Sequence, residues 1–225
     1  MKIGIIVAME KELRLLLPLV ENPSIIETEG FTLHCGMISG KEVCIGKCGI
    51  GKVNAALGCS ALIRTFSPDL VINTGVAGGT GSAAVLDVVA ATAVGYHDVW
   101  CGPGTIPGEA AGCPRLFPAA QVATEALRRS GARVKFGVMA SGDVFVDSPE
   151  TVSRILELYP DAAGCDMESG ALAQTCHHFG VSFFCLRVIS DTPGKVSDNG
   201  AQYESFWVKA PEETFEILKS TLACL

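Results

Sequence analysis

A chain of 225 residues, 48% hydrophobic and 18% charged, carries enough apolar material for one sizeable α/β core. Its net charge of −7, with 17 Lys and Arg that do not cluster beyond Arg128-Arg129, excludes a basic surface for nucleic acid or anionic membranes. No apolar run approaches the ~18 residues needed to span a bilayer, and MKIGIIVAMEKE reaches Glu10 too soon for a secretory h-region, so a cytoplasmic protein is expected.

KIGIIVA (2–8) predicts a buried strand, and MEKELRLLLPLV the helix after it. FTLHCGMI and EVCIGKC flank Ser39-Gly40 and predict a β-hairpin. GKVNAALGCSALIRTF reads as an amphipathic helix opened by Gly49 and Gly51, followed by strands at DLVINTG (69–75) and DVVAATAVGYHD (87–98). Residues 102–114 form the loop rich in Pro and Gly. Then come the helix AAQVATEALRRSG, the strand RVKFGVMASG, the helix SPETVSRILELY and the short strand AAGCDME. SGALAQTCHHFG is the next helix and VSFFCLRVISD the last buried strand; helical material from about Gln202 is interrupted by Pro211. No linker or repeat divides the chain. The expectation is one domain over 1–225, an α/β three-layer αβα sandwich around a central mixed, mostly parallel twisted sheet.

Ten cysteines raise the question of a disulfide framework or a metal site. They are scattered with no C-x-x-C pair, and several sit in apolar strands, so free cysteines behaving as small hydrophobes are expected, with no metal. GKCGIGKV (46–53) fits G-x-x-x-x-G-K but puts Val53 where a phosphate loop needs the Ser or Thr hydroxyl for Mg²⁺, which argues against a triphosphate site.

In such sheets ligands sit at the carboxyl ends of the strands. Those ends bring Met9 with Glu12 just beyond, Gly49-Ile50-Gly51, TGVAGG (74–79), SGDVF (141–145), DMES (166–169) and SDT (190–192) to one rim. Three carboxylates, Glu12, Glu168 and Asp191, thus meet glycine-lined turns and Phe145 with no Lys or Arg cluster, which suits a neutral polyol better than a phosphate. Each has a plain alternative. Glu12 suits the positive end of a helix, Glu168 a cap, Asp191 a turn and Met167 a core. His97 pairs with no nucleophile motif, and His177-His178 complements a helix C-terminus.

Taken together, KIGIIVAMEKE, GIGKVNAALG, INTGVAGG, YHD, SGDVF, DMESGALA and LRVISD resemble the bacterial 5′-methylthioadenosine/S-adenosylhomocysteine nucleosidases of the nucleoside phosphorylase superfamily, in order and over nearly the whole chain. The resemblance implies cofactor-free hydrolysis of the N-glycosidic bond of a small-molecule purine nucleoside by a homodimer. It implies Asp191 as general acid at purine N7, Glu12 as the carboxylate that activates water, and Glu168 as acceptor for the ribose hydroxyls with Met167 beneath the ribose. Phe145 and Val146 match positions around the base, with Met9, Ile50, Ala77 and Gly78 lining the site. Arg187 and Ser190 match supports for the acids, and Phe206 an aromatic that closes over them. Phosphorylases of the superfamily hold phosphate with an Arg near the first strand, where this chain has Glu12. Uridine phosphorylases resemble the MES segment but have no acid to protonate a purine. Two departures stand out: VWCGPGTIPG (99–108) replaces a DVTAFGY-like segment, and Val76 stands where many members have Ser. A hydrolase of another 5′-modified purine nucleoside, such as futalosine, and a non-catalytic nucleoside-binding relative are the alternatives.

Overall fold

The computed structural model describes residues 1–194, 199–209 and 212–225. Strand β1 (Lys2–Val7) shows how the layers arise. Ile3, Ile5 and Val7 point to one face of the sheet and Ile6 to the other, the two-residue period of a strand buried on both sides. Strand β1 is flanked in parallel by β4 (Lys41–Lys47) and β5 (Leu70–Gly79). Beyond β4 the sheet runs antiparallel through β3 (Phe31–Ile38) to β2 (Glu21–Thr28).

On the other side the sheet closes on itself. Strand β5 pairs with both β9 (Ala162–Asp166) and β10 (Ser182–Asp191). Strand β10 continues through β6 (Val88–Tyr96) and β8 (Lys135–Ser141) back to β9, and β7 (Leu116–Pro118) attaches to β6. The sheet is mixed, as expected, and its longest ladders, β5–β10 and β6–β8, are parallel. The closure was not legible from strand order alone.

Helices α2 (Lys52–Phe66) and α5 (Ser169–Phe179) cover one face, where Leu62, Phe66, Leu172 and Cys176 pack on Ile6 and Val71. Helices α1 (Glu10–Leu16), α3 (Gln121–Arg129), α6 (Asn199–Lys209) and α7 (Glu212–Cys224) cover the other, where Leu13, Leu127, Phe206 and Leu218 meet Ile3, Ile5 and Phe184. Helix α4 (Pro149–Leu158) seals β8 and β9 through Ile155.

Two local expectations are corrected, and one strand lies where none was predicted. Residues 21–28 form an edge strand; Asn22, Pro23 and exposure of nearly every side chain hide its period. The first helix ends at Leu16, and Pro18 turns the chain into a 3₁₀ turn over Leu17–Leu19. Cys35 and Cys44 face each other in the β3–β4 register, with Cα atoms 4.1 Å apart, and are joined as a disulfide rather than free. The other eight cysteines are free, mostly buried. Pro211 lies outside the described residues.

Candidate active site

Strand β1 ends beside β5, and the turn Ala8-Met9 starts α1, which puts Glu12 in the helix's first turn. Its carboxylate folds back over the turn. Oε2 accepts from the backbone N–H of Ala8 at 2.9 Å and of Met9 at 2.8 Å, while Oε1 accepts from the N–H of Val76 on β5 at 3.0 Å. Gly75 makes this possible: its φ is 138°, and a Cβ there would collide with the Glu12 carboxylate and the Arg187 guanidinium. Glu12 is 1% exposed. Burial pushes its carboxyl above the usual range, against the opposing pull of Arg187 and the three N–H groups.

An arginine inside the apolar strand FFCLRVISD must find anions. Arg187, also buried, donates through Nη2 to Asp166 Oδ2 at 2.7 Å and to Asn73 Oδ1 at 2.6 Å, and the same guanidinium nitrogen lies 3.6 Å from Glu168 Oε2. Asp166 is fixed in turn, accepting on Oδ1 from Ser169 Oγ at 2.8 Å and Ser169 N–H at 3.1 Å. Glu168 precedes α5 and accepts from the Gly51 N–H at 3.0 Å. Burial is the main force that lifts its carboxyl to about 7; Arg187 opposes the shift, and Asp166 adds to it. Asp166 and Asn73 were not anticipated. The signal was present, because a buried Arg implies nearby carboxylates.

Strand β10 delivers the third acid. A register shift between Ile189 and Asp191 turns both Ser190 and Asp191 inward. Ser190 Oγ donates to Asp191 Oδ1 at 2.6 Å and lies 3.3 Å from the Ala77 carbonyl oxygen. Asp191 is 3% exposed.

Glu12, Glu168, Arg187, Ser190 and Asp191 all line one cleft of about 620 Å³. Ala77 and Gly78 of β5, Met9, Met167 and the apolar side chains of Ile50, Phe145 and Val146 also line it. Phe145 is half exposed, and its ring meets Tyr203 edge-on at 6.1 Å. Phe206 does not line the cleft. It is buried against the α1–α7 face, and Tyr203, about one helical turn earlier, faces the site and donates to Met9 Sδ at 3.2 Å. Among the described residues, Arg187 is the one basic side chain in the lining, and no three ligating side chains gather as a metal site. Lys52 of the GIGK turn points away, paired with Asp98 at 2.8 Å. No helix among the described residues is long and apolar enough to cross a membrane.

Such a cleft offers buried acids and apolar walls to an uncharged, hydroxyl-bearing ligand with an aromatic part. Comparison with known proteins agrees. The family model described as "Phosphorylase superfamily" matches residues 2–223. The 5′-methylthioadenosine/S-adenosylhomocysteine nucleosidase of Neisseria meningitidis, solved with methylthio-immucillin-A, is 34% identical over 100% of this chain and 99% of its own, with a TM-score of 0.94. The corresponding nucleosidase of Colwellia psychrerythraea, solved with adenine, is 33% identical over 100% and 96%, with a TM-score of 0.93. Futalosine hydrolase of Helicobacter pylori is 28% identical over 100% and 98%, with a TM-score of 0.90. The chain therefore belongs to the phosphorylase superfamily and, within it, to the 5′-methylthioadenosine/S-adenosylhomocysteine nucleosidase family.

Proposed function

We propose that the protein is a purine nucleosidase that hydrolyses the N-glycosidic bond of 5′-methylthioadenosine- and S-adenosylhomocysteine-type nucleosides and releases adenine. The observation that carries this reading is the meeting of Glu12, Glu168 and Asp191 in one cleft whose one basic side chain among the described residues, Arg187, is already engaged by Asp166 and Asn73. A phosphate nucleophile would need a free cation, and at low effective dielectric a buried carboxylate repels it by several kcal/mol. Water has no such difficulty.

The chemistry divides between the acids. Breaking the bond leaves electrons on the purine and positive charge on the sugar. Asp191 gives a proton to N7, which turns the base into a neutral leaving group. Its hydrogen bond from Ser190 fixes the carboxyl's direction. Glu168 accepts from the ribose hydroxyls, and its negative charge supports the oxocarbenium-like sugar. Glu12, aimed by three N–H donors, takes the proton of the water that attacks C1′. Phe145 stacks on the base, the Val146 backbone reads the purine edge, and Met167 lies under the ribose.

The test is adenine release from 5′-methylthioadenosine in phosphate-free buffer. Release at an undiminished rate supports hydrolysis, and a requirement for phosphate refutes it. A second reading, cleavage of a futalosine-like nucleoside, is favoured by the likeness to the Helicobacter pylori hydrolase and by the 99–114 loop, where Trp100 is 62% exposed. Cleavage of that substrate in preference to methylthioadenosine would select it. A cytoplasmic homodimer is part of the same proposal. Exposed Val53, Leu57 and Trp100 are side chains a second copy would cover, and sedimentation at micromolar concentration checks this.

A further inference from the structure

The glycine turn GIGK holds no phosphate in this reading, yet its lysine is not idle. Lys52 Nζ donates to Asp98 Oδ2 at 2.8 Å and sits 5.4 Å from the centre of the Tyr96 ring. The same Asp98 oxygen accepts the Asp143 N–H at 2.8 Å. Asp143 then accepts the Lys52 N–H on Oδ1, also at 2.8 Å. These bonds close a loop of three side chains, one each from the end of β6, the start of α2 and the segment after β8. Lys52 and Asp98 are only about a quarter exposed (26% and 21% of their side chains), so the ion pair is partly shielded from solvent.

What the loop joins gives it meaning. Immediately before Lys52, the Gly51 N–H holds Glu168 Oε1. Immediately after Asp143 come Val144 and Phe145, a wall of the cleft. Gly51 sits close against Asp143, since a Cβ on it would lie 3.2 Å from Oδ1. From below, the His97 ring packs on Gly142, where a Cβ would lie 2.6 Å from it. Burial favours the neutral imidazole there.

The structure assigns Asp98 a positioning role: through Lys52 and Asp143 it locks the Gly51 N–H onto Glu168 and fixes the Phe145 wall against the same site. This role rests on the hydrolase reading above. Asp98 acts through other residues and does not touch the substrate. Losing it loosens both the ribose acceptor and the base platform, which costs substrate binding more than chemistry.

Steady-state adenine release by wild type, Asp98→Ala, Asp98→Asn and Lys52→Met tests it. Asp98→Ala should raise KM about tenfold, the scale of one lost charge-assisted hydrogen bond, with kcat changed much less. Asp98→Asn should recover most of that loss, because its amide oxygen still accepts the Asp143 N–H. In Asp98→Ala the Glu168 carboxylate also loses an N–H partner, so the acid-side weakening of binding should begin at higher pH than in wild type. Combined with Glu168→Gln, Asp98→Ala should cost less than it does alone, because the two act on one contact. Lys52→Met answers the same question if Asp98→Ala does not fold.

Wild-type KM and an unmoved pH limb in Asp98→Ala, or costs that multiply fully with Glu168→Gln, would overturn the role while wild type remains active. Wild type that releases no adenine overturns the hydrolase reading and this role with it.

Discussion

Replacing Arg187 by Met keeps much of the side chain's volume and removes its charge. Four anionic or polar groups lose one of their partners: Asp166 at 2.7 Å, Asn73 at 2.6 Å, Glu168 at 3.6 Å, and Glu12, whose carboxyl Arg187 also holds down. At an effective dielectric of about 20, the Arg187–Glu168 attraction alone is roughly 5 kcal/mol before desolvation. Breaking a buried pair from one side costs about 3–5 kcal/mol net. In a chain of this size that lowers Tm by roughly 6–20 °C at about pH 8.

The sign with pH distinguishes this from a packing defect. Glu168 has a folded-state value of about 7, above its ordinary 4.5, so the stability tied to it is fully present below 4.5 and lost as pH rises through about 7. Without Arg187 the folded values of Glu168 and Glu12 climb further. The gap between the variant and wild type is therefore widest at about pH 8 and narrows towards about pH 5, where Glu168 is protonated. Thermal unfolding across that range, followed by circular dichroism, measures it. A gap that stays constant with pH, or a variant as stable as wild type at about pH 8, would refute the idea that Arg187 stabilises buried carboxylates.

Substrate-analogue affinity should fall as pH drops below about 7, because ribose hydroxyls donate to ionised Glu168; a pH-independent Kd by calorimetry would contradict this. Gly75→Ala should reduce kcat/KM by more than about a hundredfold, since its Cβ occupies the space of the Glu12 carboxylate, and kinetics on the purified variant checks it. Phe145→Ala should cost about tenfold or more in kcat/KM through lost stacking. Because the ring is half exposed, the same variant's Tm should barely change; a large drop would mean that the ring supports the fold instead.

Much of this molecule can be read in its sequence, and the exceptions have physical causes. Strands such as KIGIIVA and FFCLRVISD announce themselves because burial on both faces demands unbroken apolar runs. Edge strand β2 does not, since solvent on both sides imposes no period and Pro23 argues against a strand. The β5–β10–β6–β8–β9 closure depends on one strand pairing with several partners, which no local pattern encodes. Within the cleft, Glu12, Glu168 and Asp191 were found because strand ends point at ligands. Asp166 stands in the DMES segment at the same rim but carries no role in the sequence reading, although a buried Arg187 needs a carboxylate partner. Phe206 and Tyr203 show the limit of helical phase: both are aromatic and lie less than one turn apart, and only the docking of α6 on β10 decides which one faces the site.

In the proposed hydrolysis, water, not phosphate, attacks the sugar while Asp191 protonates the base. Methylthioadenosine cleavage in phosphate buffer made with heavy-oxygen water tests it in one experiment, with wild type beside Asp191→Asn and the sugar product weighed by mass spectrometry. Hydrolysis by this route yields free sugar carrying the heavy oxygen from wild type and essentially no adenine from Asp191→Asn. An unlabelled sugar phosphate, or an Asp191→Asn variant as fast as wild type, would contradict it.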